Sequence, residues 1–364
     1  LKLRGHNEAA EILNSVSPLK RTAVSFQGSG DKWGSKRSKF GETLADILEM
    51  SAEVRENTKI LDSDLEGSNG LIHVKKRFPS EQYPGLYIQG GIAEGNNLAA
   101  ACGFGEDPRK QGVFSTFAAF QEMLISIIRM ADLNDYRALI HFSHSGVDDM
   151  ADNDCHFGIN NFFAACGLSD SSIRLYMPAD EMQMSSLVRM VFGDPGLRFI
   201  YSTRSKVPNI LDENGRNFFD SDNGYEFVPG KDELIRDGKD GFVISYGDML
   251  YRSLDAVEQL RGRGIDVGLI NKPSLNVVDE GMMKKVGDSG FAVVVEGQSE
   301  DNGLGIRYGP WLSERDYPPK FRRMGITKPG ISGLWHQVDY QGLSPCHIKD
   351  KILRLTGHED LINV

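Results

Sequence analysis

Cysteine is scarce: Cys102, Cys155, Cys166 and Cys346 are the 4 in 364 residues, far apart and without a CxxC pair. That spacing argues against a disulfide framework or a structural zinc and fits a reducing, cytoplasmic setting. No run approaches 18 uncharged apolar residues, and Leu1-Lys2-Leu3-Arg4-Gly5-His6 has no apolar signal core, so a soluble protein without a membrane partner is expected. The chain does not begin with Met, which suggests a piece of a longer protein or a processed product. Basic charge is in deficit, 41 residues against 51 acidic ones for a net −10. Nonspecific nucleic-acid binding is therefore disfavoured, and any anion site must be local. Despite 40 glycines, neither Gly28-Ser29-Gly30 nor Gly303-Leu304-Gly305 continues as GxGxxG, and GxxxxGK(S/T) is absent. A standard phosphate loop is not expected.

What is present is alternation. After a lead-in helix and linker over 1–34, helical periodicity at 38–56 gives way to short β-branched or aromatic runs, each followed by an amphipathic stretch. The runs are Ile60-Leu61-Asp62, Leu86-Tyr87-Ile88, Leu139–Phe142, Ile173–Tyr176 and Phe199-Ile200-Tyr201. Residues 209–239 are crowded with Asp, Asn and Gly and mark a domain boundary. Beyond them, Phe242–Ser245, Val267–Ile270 and Phe291–Val295 alternate with helices near 249–262 and 276–287. The expected fold is α/β with two domains, 35–225 and 226–364, each a mostly parallel sheet flanked by helices.

Glu94 carries the chemistry. It stands in Gly91-Ile92-Ala93-Glu94-Gly95-Asn96-Asn97, between an apolar strand and an apolar helix, and Ser115-Thr116-Phe117-Ala118-Ala119-Phe120 follows. Phe117 and Phe120, three apart at the opening of a helix, share a face able to wall an aromatic ring, and a dry carboxylate can share a proton with a ring nitrogen. Each also has a plainer role, Glu94 as a first-turn glutamate on the helix dipole and the phenylalanines as core. The cluster His141, His144, Asp148, Asp149, Asp152, Asp154, Cys155 and His156 has no HExxH or paired-cysteine spacing. It reads as an organic-substrate site ahead of a solvated acidic loop, and as a metal site last.

From about Ser35 to the C-terminus the sequence resembles transketolase, most densely in Asp62–Asn69, Gly91–Asn97, Gly112–Phe120 and His144–His156. The resemblance implies thiamine diphosphate as cofactor. Glu94 would be the partner of its aminopyrimidine, favouring the imino tautomer that activates C2. Phe117 and Phe120 would line the ring pocket, and Asp64 of the Asp64-Leu65 pair would lie near the thiazolium. It also implies a sugar-phosphate clamp of Arg37, Ser68, His144 and Arg204, whose guanidinium forks and hydroxyl match phosphate oxygens. His156 would assist proton transfer at substrate hydroxyls, and Asp152 would contact one of them.

Two departures stand out. The family's glycine- and proline-containing loop is replaced by Met150-Ala151-Asp152-Asn153-Asp154-Cys155, which puts substrate choice in question. No Gly-Asp-Gly occurs, only Gly193-Asp194-Pro195 and Gly247-Asp248-Met249. The diphosphate and its Mg2+ or Ca2+ would therefore be held by a diphosphate-binding domain or subunit, two copies of the chain pairing through their pyrimidine domains to give a heterotetramer. The implied activity is transfer of a two-carbon ketol unit between sugar phosphates. The alternatives are a β-type subunit of a 2-oxoacid dehydrogenase decarboxylase component, which needs no distal phosphate clamp, and a catalytically silent binding or regulatory subunit.

Overall fold

The computed structural model describes residues 4–15, 25–148, 156–165, 172–332 and 336–362, and, of 12–14, the backbone alone. Its strands are β1 (Ser29–Gly34), β2 (Thr58–Asp62), β3 (Tyr87–Gln89), β4 (Gln111–Phe117), β5 (Ala138–Ser143), β6 (Arg174–Tyr176), β7 (Leu197–Tyr201) and β8 (Val207–Ile210), then β9 (Glu233–Arg236), β10 (Gly241–Ser245), β11 (Val267–Asn271), β12 (Phe291–Ser299) and β13 (Lys320–Ile326). A six-stranded sheet runs β3-β2-β4-β5-β7-β6, every pair parallel. A five-stranded sheet runs β13-β12-β10-β11-β9, parallel except for β9 at its edge. The α/β architecture with a parallel sheet and a second, mixed one is as expected from the alternation.

Central strands buried on both faces read as continuous apolar runs, which is why β5, β7, β10, β11 and β12 stand out in the sequence. β4 does not. Its seven residues are all buried, yet Gln111, Gly112, Ser115 and Thr116 interrupt the apolar pattern. Phe117 therefore ends a strand rather than opening a helix, and Phe120 sits in the 3-10 turn Ala118–Leu124. The periodicity at 38–56 is also split, because Ser51 caps Ala52–Glu56 through its side chain and ends Lys36–Met50. The Asp- and Gly-rich 209–239 stretch contains the end of β8, which pairs antiparallel with β1, and the antiparallel β9.

The parallel sheet decides where a site can form. A helix linking two parallel strands runs antiparallel to them, so helix starts and the loops after strands gather at the carboxyl edge. Arg37 lies in the first turn of Lys36–Met50, Ser68 follows β2, Glu94 opens Glu94–Phe104 after β3, His144 follows β5, and Arg204 follows β7. All face one edge.

Candidate functional site

At that edge the Lys36–Met50 helix meets the loop after β2 backbone to backbone. Gly41 and Gly70 make this possible: a Cβ on either would collide with the other segment's carbonyl, and Gly70 has φ +79°. The close approach lets Arg37 reach across. Its Nη1 donates to Ser68 O at 2.5 Å and its Nε to Arg204 O at 3.3 Å, so three segments distant in sequence are pinned by one guanidinium. Burial, then the Arg204 charge, lowers the Arg37 pKa, while Asp148 opposes the shift. Asp148 itself accepts from Ser205 N at 2.8 Å, holding the Arg204 turn. These three segments are thus joined through main-chain carbonyls, a detail that residue types alone do not reveal. Beside it, Lys36 is fully buried, donating to Pro178 O at 3.1 Å, and burial pushes its ammonium down to about 8 against the attraction of Asp248, Asp180 and Asp148.

His144 is buried in a left-handed conformation, φ 58°. Ser143 Oγ lies 2.8 Å from His144 Nδ1 and donates its single proton to Asn69 Oδ1 at 2.7 Å. With the Asn69 amide in this orientation, Nδ1 of His144 carries the hydrogen that faces Ser143 Oγ, and Nε2 is then the ring nitrogen that can accept. His144 packs at 4.0 Å against Phe117, and His156 meets the same ring edge-on at 5.2 Å. Phe117 and Phe120 stack at 5.7 Å with an interplanar angle of 27°. The sequence pattern predicts that these rings share a helix face and wall a pocket; instead they pack on each other, too close to hold a ring between them. Phe117 is the buried floor, and half-buried Phe120 is the ring left with an accessible side.

Glu94 is half-buried, and its carboxylate has no hydrogen bond or ion pair among the described residues. Asn97, one turn further on, fixes the start of its helix: Nδ2 donates to Ser63 Oγ and to Gly91 O, both at 3.1 Å, and reaches Asp62 O at 3.5 Å. Asp62 in turn accepts from Leu65 N at 3.1 Å, shaping the turn that carries Asp64. Asp64 is exposed at φ 65° and accepts from Gln89 Nε2 at 3.1 Å. Glu94–Phe104 packs against Ala118–Leu124, so the acid and Phe120 belong to neighbouring elements. A half-open carboxylate without a partner, at a helix start beside an aromatic wall, fits the aminopyrimidine of thiamine diphosphate; the dry environment expected for it is not supplied by this chain alone.

Asp152 lies outside the described residues, as do Asp149, Asp154, Cys155 and Cys166. His141, a member of the ligand-rich cluster, is a core residue: Ser115 Oγ at 3.0 Å and Ser202 Oγ at 2.8 Å flank its nitrogens, Phe40 stacks at 4.1 Å, and burial holds its pKa down to about 3. The grouping of potential metal ligands among the described residues is Asp339, Cys346 and His347, none of them from that cluster. A cavity of about 480 Å3 lined by Lys32, Lys39, Glu181 and Arg189 includes none of the site residues either. Its cations are paired with Glu181, Glu42 and Asp46 at 2.9, 2.7 and 2.8 Å.

Comparison with known proteins identifies the two domains. Residues 37–209 match the transketolase pyrimidine-binding domain and residues 230–348 the transketolase C-terminal domain. A 6-deoxy-6-sulfo-D-fructose transketolase subunit of Clostridium sp. is 26% identical over 78% of this chain and 84% of its own length. An apulose-4-phosphate transketolase subunit of Phocaeicola vulgatus is 24% identical over 83% of this chain and 91% of its own length. Among solved structures, a split-gene transketolase described as an inactive beta4 tetramer superposes with a TM-score of 0.74 at 23% identity, covering 89% of this chain and 99% of that one. Transketolase from Leishmania mexicana superposes at 0.71 and 15% identity, covering 98% of this chain and 50% of that one. With both domain models matched in order, and the fold shared, the chain belongs to the transketolase family.

Proposed function

We propose that this chain is the pyrimidine-binding and C-terminal portion of a thiamine diphosphate-dependent transketolase, moving a two-carbon ketol unit between sugar phosphates together with a diphosphate-binding partner. The observation that carries this reading is the gathering of Arg37, Ser68, Arg204, His144 and His156 at one edge of a parallel sheet, with Glu94 opening a helix at that edge. In this reading Glu94 holds the aminopyrimidine, and Phe120, backed by Phe117, offers it an aromatic face. The bound cofactor supplies a nucleophilic carbon and a sink for the electron pair released when a carbon–carbon bond breaks. Arg37 and Arg204 bind the substrate phosphate, and Nε2 of His144 and the imidazole of His156 accept or return protons at its hydroxyls. Asp64 is assigned to the thiazolium side and Asp152 to a substrate hydroxyl.

The partner follows from the chemistry of the donor set. No residue at this edge forms the Gly-Asp-Gly unit that the family uses for the metal and diphosphate, so Mg2+ or Ca2+ belongs to the partner's side. Ile92, 83% exposed, sits two residues before Glu94, and Met123 (64%) and Met130 (59%) stand on the neighbouring turn and helix. A second copy covering this apolar face would shield Glu94 from water and build the heterotetramer. The split-gene relative described as an inactive beta4 tetramer supports both self-association and the need for a second subunit.

The test is a thiamine diphosphate-dependent ketol-transfer assay on the chain mixed with its diphosphate-domain partner. Turnover abolished by Glu94→Ala supports the enzyme. A well-folded complex without turnover overturns it in favour of a silent binding subunit.

A further inference from the structure

The two histidine-bearing segments of the site meet in a main-chain bridge between Ser145 and Gly158, and both also contact one side chain of the other sheet. Gln298, on β12, is fully buried. One orientation of its amide satisfies its neighbours: Gly146 N donates to the amide oxygen at 3.1 Å, Ser145 Oγ lies 3.1 Å from the same oxygen, and the amide nitrogen donates to Ile159 O at 3.1 Å and to Asn161 Oδ1 at 3.2 Å. Ser145 and Gly146 follow His144 directly, and Ile159 and Asn161 lie just beyond His156. Main-chain bonds run beside the amide: Val147 N to Gly297 O at 3.1 Å and Ser299 N to Ile159 O at 2.9 Å, while Gly146 N shares its one hydrogen with Gly158 O at 2.8 Å.

We propose that Gln298 is a positioning residue for the site: it buckles the segment after His144 to the segment after His156, so the C-terminal domain sets the spacing of the two imidazoles. The physical reason is the dryness of the contact. A buried amide that loses a partner finds no water to replace it, so each bond resists displacement of the loop it holds. Neither histidine is touched by Gln298, and both rings also lean on Phe117, whose separation from each depends on where these segments sit. The catalytic part of this inference rests on the proposed ketol transfer; the structural part does not.

The experiment compares the wild-type chain with Gln298→Met, which keeps volume and removes the polar contacts. Amide hydrogen exchange on the chain itself is expected to become at least tenfold faster in 144–148 and 156–161 while β2 and β10 keep their rates. In the complex with the diphosphate-domain partner, kcat falls at least tenfold, KM for the phosphorylated substrate changes less than threefold, and the acidic limb of the pH profile shifts. Ser145→Ala, a smaller lesion, gives the same pattern of exchange at lower amplitude and serves where Gln298→Met does not fold. Unchanged exchange in both segments, or faster exchange spread evenly through the chain, overturns the proposal. A wild-type complex without turnover defeats the ketol-transfer reading alone, because the exchange result still decides the role of Gln298.

Discussion

Gly90→Ala is a small change with a large expected consequence. A Cβ at this position would lie 2.6 Å from Asn97 Cγ and 2.7 Å from its Nδ2, inside the amide that staples the Glu94 helix to the loop after β2. Asn97 is 1% exposed and cannot swing into solvent without leaving its bonds to Ser63 Oγ and Gly91 O. Two hydrogen bonds, one buried and one partly so, at about 1 kcal/mol each, plus about 1–2 kcal/mol for polar groups left without partners, give a destabilisation of about 3–4 kcal/mol. Urea unfolding followed by tryptophan fluorescence measures it, with Asn97→Ala as the companion variant. Because Gly90 does not have a positive φ, the backbone itself tolerates alanine, and the loss comes from the collision alone. Loss of the staple also moves the first turn of Glu94–Phe104, so on the proposed function turnover with the partner subunit should fall as well. A Gly90→Ala chain within about 0.5 kcal/mol of wild type would refute the staple.

Arg37→Ala removes the pin between Ser68 O and Arg204 O and, on the proposed function, a phosphate ligand, so KM for a phosphorylated substrate should rise about 10–100-fold, with a smaller effect on an unphosphorylated analogue. Steady-state kinetics on the paired subunits reads this directly, and equal effects on the two substrates would remove Arg37 from the clamp. Burial raises the pKa of Glu233 to about 7, so its stabilising contribution is complete below the ordinary value of 4.5 and is lost progressively as pH rises from there through 7. Glu233→Gln should flatten the decline in unfolding free energy over that window by on the order of 2–3 kcal/mol, as read from denaturant titrations at stepped pH. His141 acts in the opposite sense. Held neutral with a pKa of about 3, it contributes stability above its ordinary 6.5 that disappears on acidification, and His141→Asn should reduce acid sensitivity between pH 6.5 and 3 in the same titrations.

Local pattern alone determined a good deal. Apolar runs separated by amphipathic stretches specify parallel strands covered by helices, because strands buried on both faces need unbroken apolar sequence and the period of a helix is written in consecutive residues. The position of Glu94 at a helix start was legible for the same reason. β4 escaped notice because it is buried through contacts between strands, which let Ser115 bond His141 and Thr116 sit inside the sheet without an apolar signature. The antiparallel direction of β9 and the pairing of β1 with β8 depend on partners that no local window contains.

Tertiary structure alone decided how the site is held. Arg37 is 31 residues from Ser68 and 167 from Arg204, and only the order of strands in the sheet, with Gly41 set against Gly70, makes the three adjacent. Residue types suggested phosphate recognition, but not that the guanidinium first secures two carbonyls. The stacking of Phe117 on Phe120 required knowing that a strand ends between them. Gln298 is the extreme case: 153 residues from Ser145, it is an ordinary glutamine in the sequence, and its four contacts exist only because two sheets meet. Chemistry is carried by side-chain identity and can be read residue by residue; geometry belongs to contacts between distant segments, and those are created by folding.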